Sequence, residues 1–267
     1  MKPHRPHGRT PTTLEADVLK LRAFEMVLIL FYMEDLKRFI INAIESTDRF
    51  TGVSRLKEKK GKKMESAREI IVAEGIISQA ESDELHILMN YRNIIGHKIH
   101  DLTVDVGAYS DLANLDPTTN KPINEYDYKA AKRVAQLKKK IKNGMGKAFS
   151  IFVSFDSLKF EAAERVYLTE IKRLKIKVNK GVRQLRKVIS DTNAVINSIP
   201  DTVLDSAQPG HPRNIKNNGT LSGRGAACIF QLYDANATPL AVAYMMRLSI
   251  RSAITWRKKW EAAKGQC

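Results

Sequence analysis

The sequence predicts an all-α fold. Apolar residues recur at steps of three and four along most of the chain, clean strand alternation is scarce, and one segment keeps its helical spacing for more than forty residues. The 267 residues are enough for one large domain or two small ones. Hydrophobic content of 43% and charged content of 28% exclude wholesale disorder, a collagen-like chain and a disulfide scaffold.

Residues 1–13 carry Pro, His, Arg and Thr without an apolar segment, and predict a flexible tail rather than a signal peptide. Residues 14–47 predict a long amphipathic helix through Leu21, Phe24, Leu28, Phe31, Tyr32, Leu36, Phe39, Ile40 and Ile44. Residues 55–63 are a basic loop or frayed helix, and 65–79 a second helix. Ser82, followed by Asp83 and Glu84, is the expected N-cap of a third helix running to about His100. Residues 105–125, with Gly107, Pro117 and Pro122, predict a loop with a short helix. Helix resumes at 126–142 and is expected to end near Gly144 and Gly146.

From Asp156 to Ser198, Phe160, Ala163, Tyr167, Ile171, Leu174, Val178, Val182, Leu185 and Ile189 share one stripe. The spacing repeats every 11 residues, so the pairing it favours is straight or slightly right-handed, with Gly181 as a weak point and Pro200 as the stop. So long a helix needs a partner surface, and a homodimer is expected. Residues 199–219 carry Pro209, Gly210, Pro212 and Gly219 and predict a linker or basic arm; 220–263 is helical again. The domain reading is therefore a tail (1–13), a helical domain (14–198), an arm (199–219) and a small C-terminal domain (220–263).

Charge is unevenly spread. The formal net charge is +16: residues 1–128 carry −2, 129–190 carry +14, and 191–267 carry +4. Such a chain meets a polyanion, and the surface that does so is expected after residue 128. The longest apolar run, Met26 to Met33, is too short to cross a bilayer, so no membrane partner is expected. A membrane-surface role fits the charge but not the motifs described next. Cys228 and Cys267 form no CxxC pair, which points to a reducing, cytoplasmic compartment. No metal-binding, P-loop, GxSxG or dinucleotide motif is present, so neither metal nor cofactor is expected.

Two motifs bear on chemistry. The first is Tyr91-Arg92-Asn93-Ile94-Ile95-Gly96-His97-Lys98-Ile99-His100-Asp101 on the third helix. Its RNIIGH core matches an Rx4-6H pattern and resembles the HEPN superfamily of all-α ribonucleases and toxins. That resemblance implies an HEPN-like helical bundle and metal-independent RNA cleavage within a toxin or defence system. It further implies a dimer that brings two motifs into one cleft, with an antitoxin or regulatory partner. The residue types suit the chemistry. His97 can move a ribose 2′-hydroxyl proton near neutral pH, Arg92 can hold the phosphate, and Asn93 can orient either group. Five positions on a helix amount to about 140° of rotation, so Arg92 and His97 do not share a face. Convergence needs a distortion at Gly96 or a second subunit. His86 and His100 are weaker candidates.

The second motif is the segment 220–260, which resembles a helix-turn-helix of the resolvase or invertase type. Thr220 or Ser222 would cap its first helix, Thr238 with Pro239 its second, and Ser249 its third. Arg247-Leu248 would form the turn; a left-handed Arg247 costs on the order of 1 kcal/mol. Arg251, Ser252, Thr255, Lys258 and Lys259 would then face the DNA major groove or its phosphates. Arg213, in a basic stretch upstream, would enter the minor groove. The two motifs together predict an endoribonuclease with duplex-DNA binding. The alternative is a non-enzymatic DNA-binding regulator in which the HEPN-like helices only dimerise.

Overall fold

A computed structural model describes residues 11–56, 62–99, 126–151 and 155–265. Within them the secondary structure is helical except for one isolated bridge between Ile215 and Leu221. The helices are α1 (Thr13–Thr51), α2 (Lys63–Ala73), α3 (Gln79–His97), α4 (Ala130–Ala148), α5 (Phe155–Asn197), α6 (Asp201–Ala207), α7 (Gly223–Asp234), α8 (Pro239–Met245) and α9 (Ile250–Lys264), with a 3-10 turn at Pro212–Asn214. The expected loop at 105–125, His100 and the N-terminal residues 1–10 lie outside the described residues. The chain divides into two compact units: Glu15–Lys177, and Val178–Cys267 together with Met1–Leu14. The division between these units falls inside α5.

In the first unit α1 is the hub. Its Leu28, Ile29, Leu36, Ile40 and Ile44 are fully buried. Phe24 packs against Tyr167 of α5 with ring centroids 5.7 Å apart. Asp35 of α1 takes ion pairs from Lys138 (3.0 Å) and Lys142 (2.9 Å) of α4, and buried Glu25 takes one from Lys175 of α5 (2.8 Å). On the opposite side of α4, Lys140 pairs with Glu81 and Arg133 with Glu84 of α3. Part of the positive excess after residue 128 is therefore neutralised internally by acidic residues of the first half. A clustered charge reads as a binding surface only where such partners are missing.

Two boundaries differ from expectation for identifiable reasons. α3 starts four residues earlier, because Ser78 and Glu81 form a reciprocal capping box: Glu81 N donates to Ser78 Oγ and Ser78 N to Glu81 Oε2 (2.8 Å). Ser82 is buried inside the helix instead. α4 runs on through Gly144 and Gly146, since a Cβ on Gly144 would lie 2.7 Å from Ile76 Cγ2. That glycine lets α4 pack closely against Ile76 in the turn between α2 and α3, and it does not end the helix.

In the second unit, α6 to α9 enclose Cys228, Ile229, Leu232, Tyr233, Val242, Ala243, Met246 and Ala253. The segment 199–219 is not a loose arm. Ile199 and Ala207 join this core, and α6 occupies Asp201–Ala207. Buried Asn214 donates its side-chain amide to the carbonyls of Gln208 (2.8 Å) and Pro209 (3.2 Å). Apolar Val203 and Leu204 bury against the α7 side of the core, which fixes the segment despite its prolines.

Candidate functional sites

The first motif lies on the last two turns of α3. Tyr91 Oη accepts a hydrogen bond from Asp127 N (3.0 Å), which ties the chain entering α4 to α3. Burial pushes the Tyr91 phenol above its ordinary range, although the Asp127 amide works against this. Arg92 turns toward α1, where its Nη2 donates to Glu34 Oε1 (2.5 Å); its Nη1 donates to Asn93 Oδ1 (3.2 Å). Its Nε is buried and has no hydrogen-bond partner among the described residues. Met33, Glu34, Lys37, Met89, Arg92 and Asn93 line a cleft of about 110 Å³.

His97 is the last residue of α3 and is exposed. Helix continues through Gly96, whose φ is not in the left-handed region and whose absent Cβ faces open space. No kink brings His97 round to Arg92. Within one chain the structure therefore does not unite the three motif residues: Arg92 and Asn93 share the cleft, and His97 stands apart from it. Glu34 and Lys37 of α1 are cleft residues that sequence reasoning missed. They lie 58 and 55 positions from Arg92, and no local spacing announces them.

The second motif is built by three side-chain caps. Ser222 Oγ accepts from Gly225 N (3.1 Å), Thr238 Oγ1 from Ala241 N (3.3 Å) and Ser249 Oγ from Ser252 N (3.1 Å). Pro239 sits in the first turn of α8, where its missing N–H is not required. Between α8 and α9 the chain turns at Arg247, which adopts φ 54°, and Leu248 N bonds back to Ala243 O (2.9 Å). Small, buried Ala243 lets the helices cross closely. Tyr233 Oη donates to Ala253 O (2.6 Å), Phe230 meets Trp256 edge-on, and Trp260 Nε1 donates to Asp234 (3.0 Å), so α9 is fastened to α7 along its length. Burial pushes the Tyr233 phenol up to about 12.

This packing decides which α9 residues are presented. Arg251, Thr255 and Lys258 are exposed and share one face at helical spacing. Thr255 Oγ1 donates to Arg251 O (3.0 Å), which leaves the hydroxyl oxygen free to accept. Ser252 is half-buried, and Lys259 lies with Nζ 4.2 Å from the Trp256 ring centre, at the edge of the same face. Arg213 belongs to the 3-10 turn, and its carbonyl accepts from Ser222 Oγ (2.6 Å). Its side chain is exposed, but its backbone is held in the core-packed turn rather than in a free arm.

Among the described residues no three metal-ligating side chains converge, and no helix is long and apolar enough to cross a membrane. Compared with protein-family models, with curated proteins and with solved structures, the chain matches none.

Proposed function

We propose that this chain is a duplex-DNA-binding protein that docks α9 of its C-terminal unit in the major groove. The observation that carries the reading is the α8–Arg247–α9 arrangement. Two capped helices are joined by a tight left-handed turn, and the second presents Arg251, Thr255 and Lys258 on one uncovered face. This arrangement supports the helix-turn-helix reading. Arg251 and Thr255 stand early on α9, where side chains reach base edges, and Lys258 stands where phosphates run. Ser252 and Lys259 flank that face, and they and the exposed Arg213 would supply contacts to the DNA backbone. A cytoplasmic setting accords with this reading. The test is selection of bound sequences from a random duplex pool by the full chain. The wild type enriches a preferred sequence, and Arg251→Ala costs about 1–3 kcal/mol on it. Equal binding by both proteins to all sequences contradicts the reading.

A second reading, favoured by the unpartnered Arg92 Nε at the α1–α3 cleft and the exposed His97, is ribonuclease chemistry completed across two copies of an HEPN-like unit. A second chain supplies the partner that one straight α3 does not. Arg92 and Asn93 would then seat the scissile phosphate, and His97 of the facing copy would move the proton. Incubation with total RNA in the presence of a chelator tests it. Cleavage that leaves 2′,3′-cyclic phosphate ends and disappears in both Arg92→Ala and His97→Ala supports it. Cleavage that needs metal, or that survives both substitutions, removes it.

A further inference from the structure

We propose that residues 178–190 of α5 form a second nucleic-acid surface, which grips the phosphodiester backbone of duplex DNA without reading its sequence. The proposal extends the DNA-binding reading of the C-terminal unit to a surface outside the helix-turn-helix.

No acidic residue occurs between Glu170 and Asp191, whereas eight basic ones do. Lys175 is paired internally with Glu25. Lys180, Arg183, Arg186 and Lys187 are exposed, and none of the four enters an ion pair or side-chain hydrogen bond with another described residue. This sets them apart from Arg133, Lys138, Lys140 and Lys142 of α4, all of which face carboxylates. At 100° per residue the four side chains fall within an arc of about 120°. They cover about 10.5 Å of helix, roughly three phosphate-to-phosphate steps along one DNA strand, so the four side chains can meet about four phosphates. Lys180, Arg183 and Lys187 are helical neighbours at three and four residues, so in the free protein their charges repel. A polyanion relieves that repulsion.

The opposite side of the segment carries Val182, Leu185 and Ile189. Leu185 and Ile189 are a little under half exposed, and residues 178–190 contain no Trp, Tyr or Phe to anchor in a lipid headgroup layer. A second copy laid along the cationic side would bring like charges together. Backbone phosphate is the partner that the uncompensated charge fits.

The test uses the full chain and a labelled DNA duplex, with affinity followed by fluorescence anisotropy against salt. A Lys180→Gln, Arg183→Gln, Arg186→Gln, Lys187→Gln variant is expected to flatten the slope of log affinity against log salt by about 3–4, because each lost phosphate contact removes about 0.9. Between about 50 and 200 mM salt its affinity then falls about a hundredfold less than that of the wild type. Its ratio of affinity for preferred over scrambled duplex stays unchanged. Glutamine keeps the helix; if the fourfold variant nevertheless melts early, single substitutions read the same effect at about 0.9 of slope each. The Arg251→Ala, Thr255→Ala variant separates the two surfaces. Losing its sequence preference while keeping the slope supports both, and leaving preference and affinity untouched while the fourfold variant flattens the slope sinks the helix-turn-helix reading alone. An unchanged slope in the fourfold variant overturns the present proposal. So does a variant that loses binding to phosphatidylserine vesicles but none to DNA, or one that changes only the sedimentation coefficient.

Discussion

Gly225→Ala is expected to destabilise the C-terminal unit, although alanine is the better helix former. Gly225 is the third residue of α7, and an ideal Cβ there lies 2.2 Å from Asn214 O and 2.4 Å from Leu221 Cδ2. The Leu221 side chain can turn aside, but the Asn214 carbonyl is backbone and cannot yield easily. Asn214 is buried, its carbonyl accepts from Ser222 N (3.0 Å), and its side chain holds the Gln208 and Pro209 carbonyls. Clearing the contact takes a shift of about 1 Å between α7 and the 3-10 turn, which strains the Ser222 cap. Overpacking of this kind costs about 1–3 kcal/mol and a weakened cap up to about 1, against a gain of about 1 from helix propensity. The net is a loss of about 2 kcal/mol. In a unit of roughly 100 residues that lowers the melting temperature by about 10 °C. Gly96→Ala is the control of opposite sign: it lies in α3 with nothing near its missing Cβ, and should gain about 0.5 kcal/mol. Thermal melts followed by circular dichroism at 222 nm compare the two. A Gly225→Ala protein melting at or above the wild type refutes the close-approach argument.

Three further outcomes follow from particular contacts. Burial opposes ionisation of Asp35, but hydrogen bonds and charge from Lys142 and Lys138 outweigh it and hold the carboxyl below its ordinary range. A depressed folded pKa contributes stability that is present above the unfolded value of about 4 and lost as pH falls through the folded one. Urea midpoints of wild type and Asp35→Asn should therefore differ at pH 7 and converge in acid; a gap that stays constant below pH 4 contradicts this. Burial pushes the Cys228 thiol up to about 11, and its Sγ sits 3.3 Å from Met246 Sδ. In a Cys267→Ser background it should resist a disulfide reagent at pH 8 until the unit unfolds, and rapid labelling of native protein would count against the burial. Arg247→Gly should stabilise by about 1 kcal/mol by relieving the left-handed backbone, measured by urea titration; a loss would mean that the side chain's own interactions outweigh the strain.

The caps at Thr238 and Ser249 and the turn at Arg247 were legible in the sequence, and Ser222 was one of two candidates for the first cap, because a cap and the amide it satisfies lie within three residues of each other. The start of α3 was misread for an equally local reason. Asp83 and Glu84 after Ser82 imitate a first helical turn, while the true signal is the reciprocal pair Ser78 and Glu81. The turn character of Pro209, Gly210 and Pro212 masks the folded state of 199–219, because the helix before them, Asp201–Ala207, is only seven residues long and shows no clear apolar period. What no window of sequence shows is long-range pairing. Lys138 and Lys142 meet Asp35 more than a hundred residues away, which turns an apparent polyanion surface into internal ion pairs. Arg92 meets Glu34 across 58 residues, which turns a motif arginine toward a neighbouring helix. The separation of His97 from Arg92 was legible, since it follows from helix rotation alone.

The reading of α9 as a recognition helix is tested most directly by mapping guanine N7 contacts in a bound duplex with a methylating reagent. N7 lies in the major groove, so protection reports what stands there. The account predicts that the full chain protects one or more guanines in its preferred duplex, and that Arg251→Ala removes that protection at specific positions while Lys258→Ala weakens binding without moving it. Binding that leaves every N7 accessible, or a pattern identical in wild type and Arg251→Ala, would contradict it.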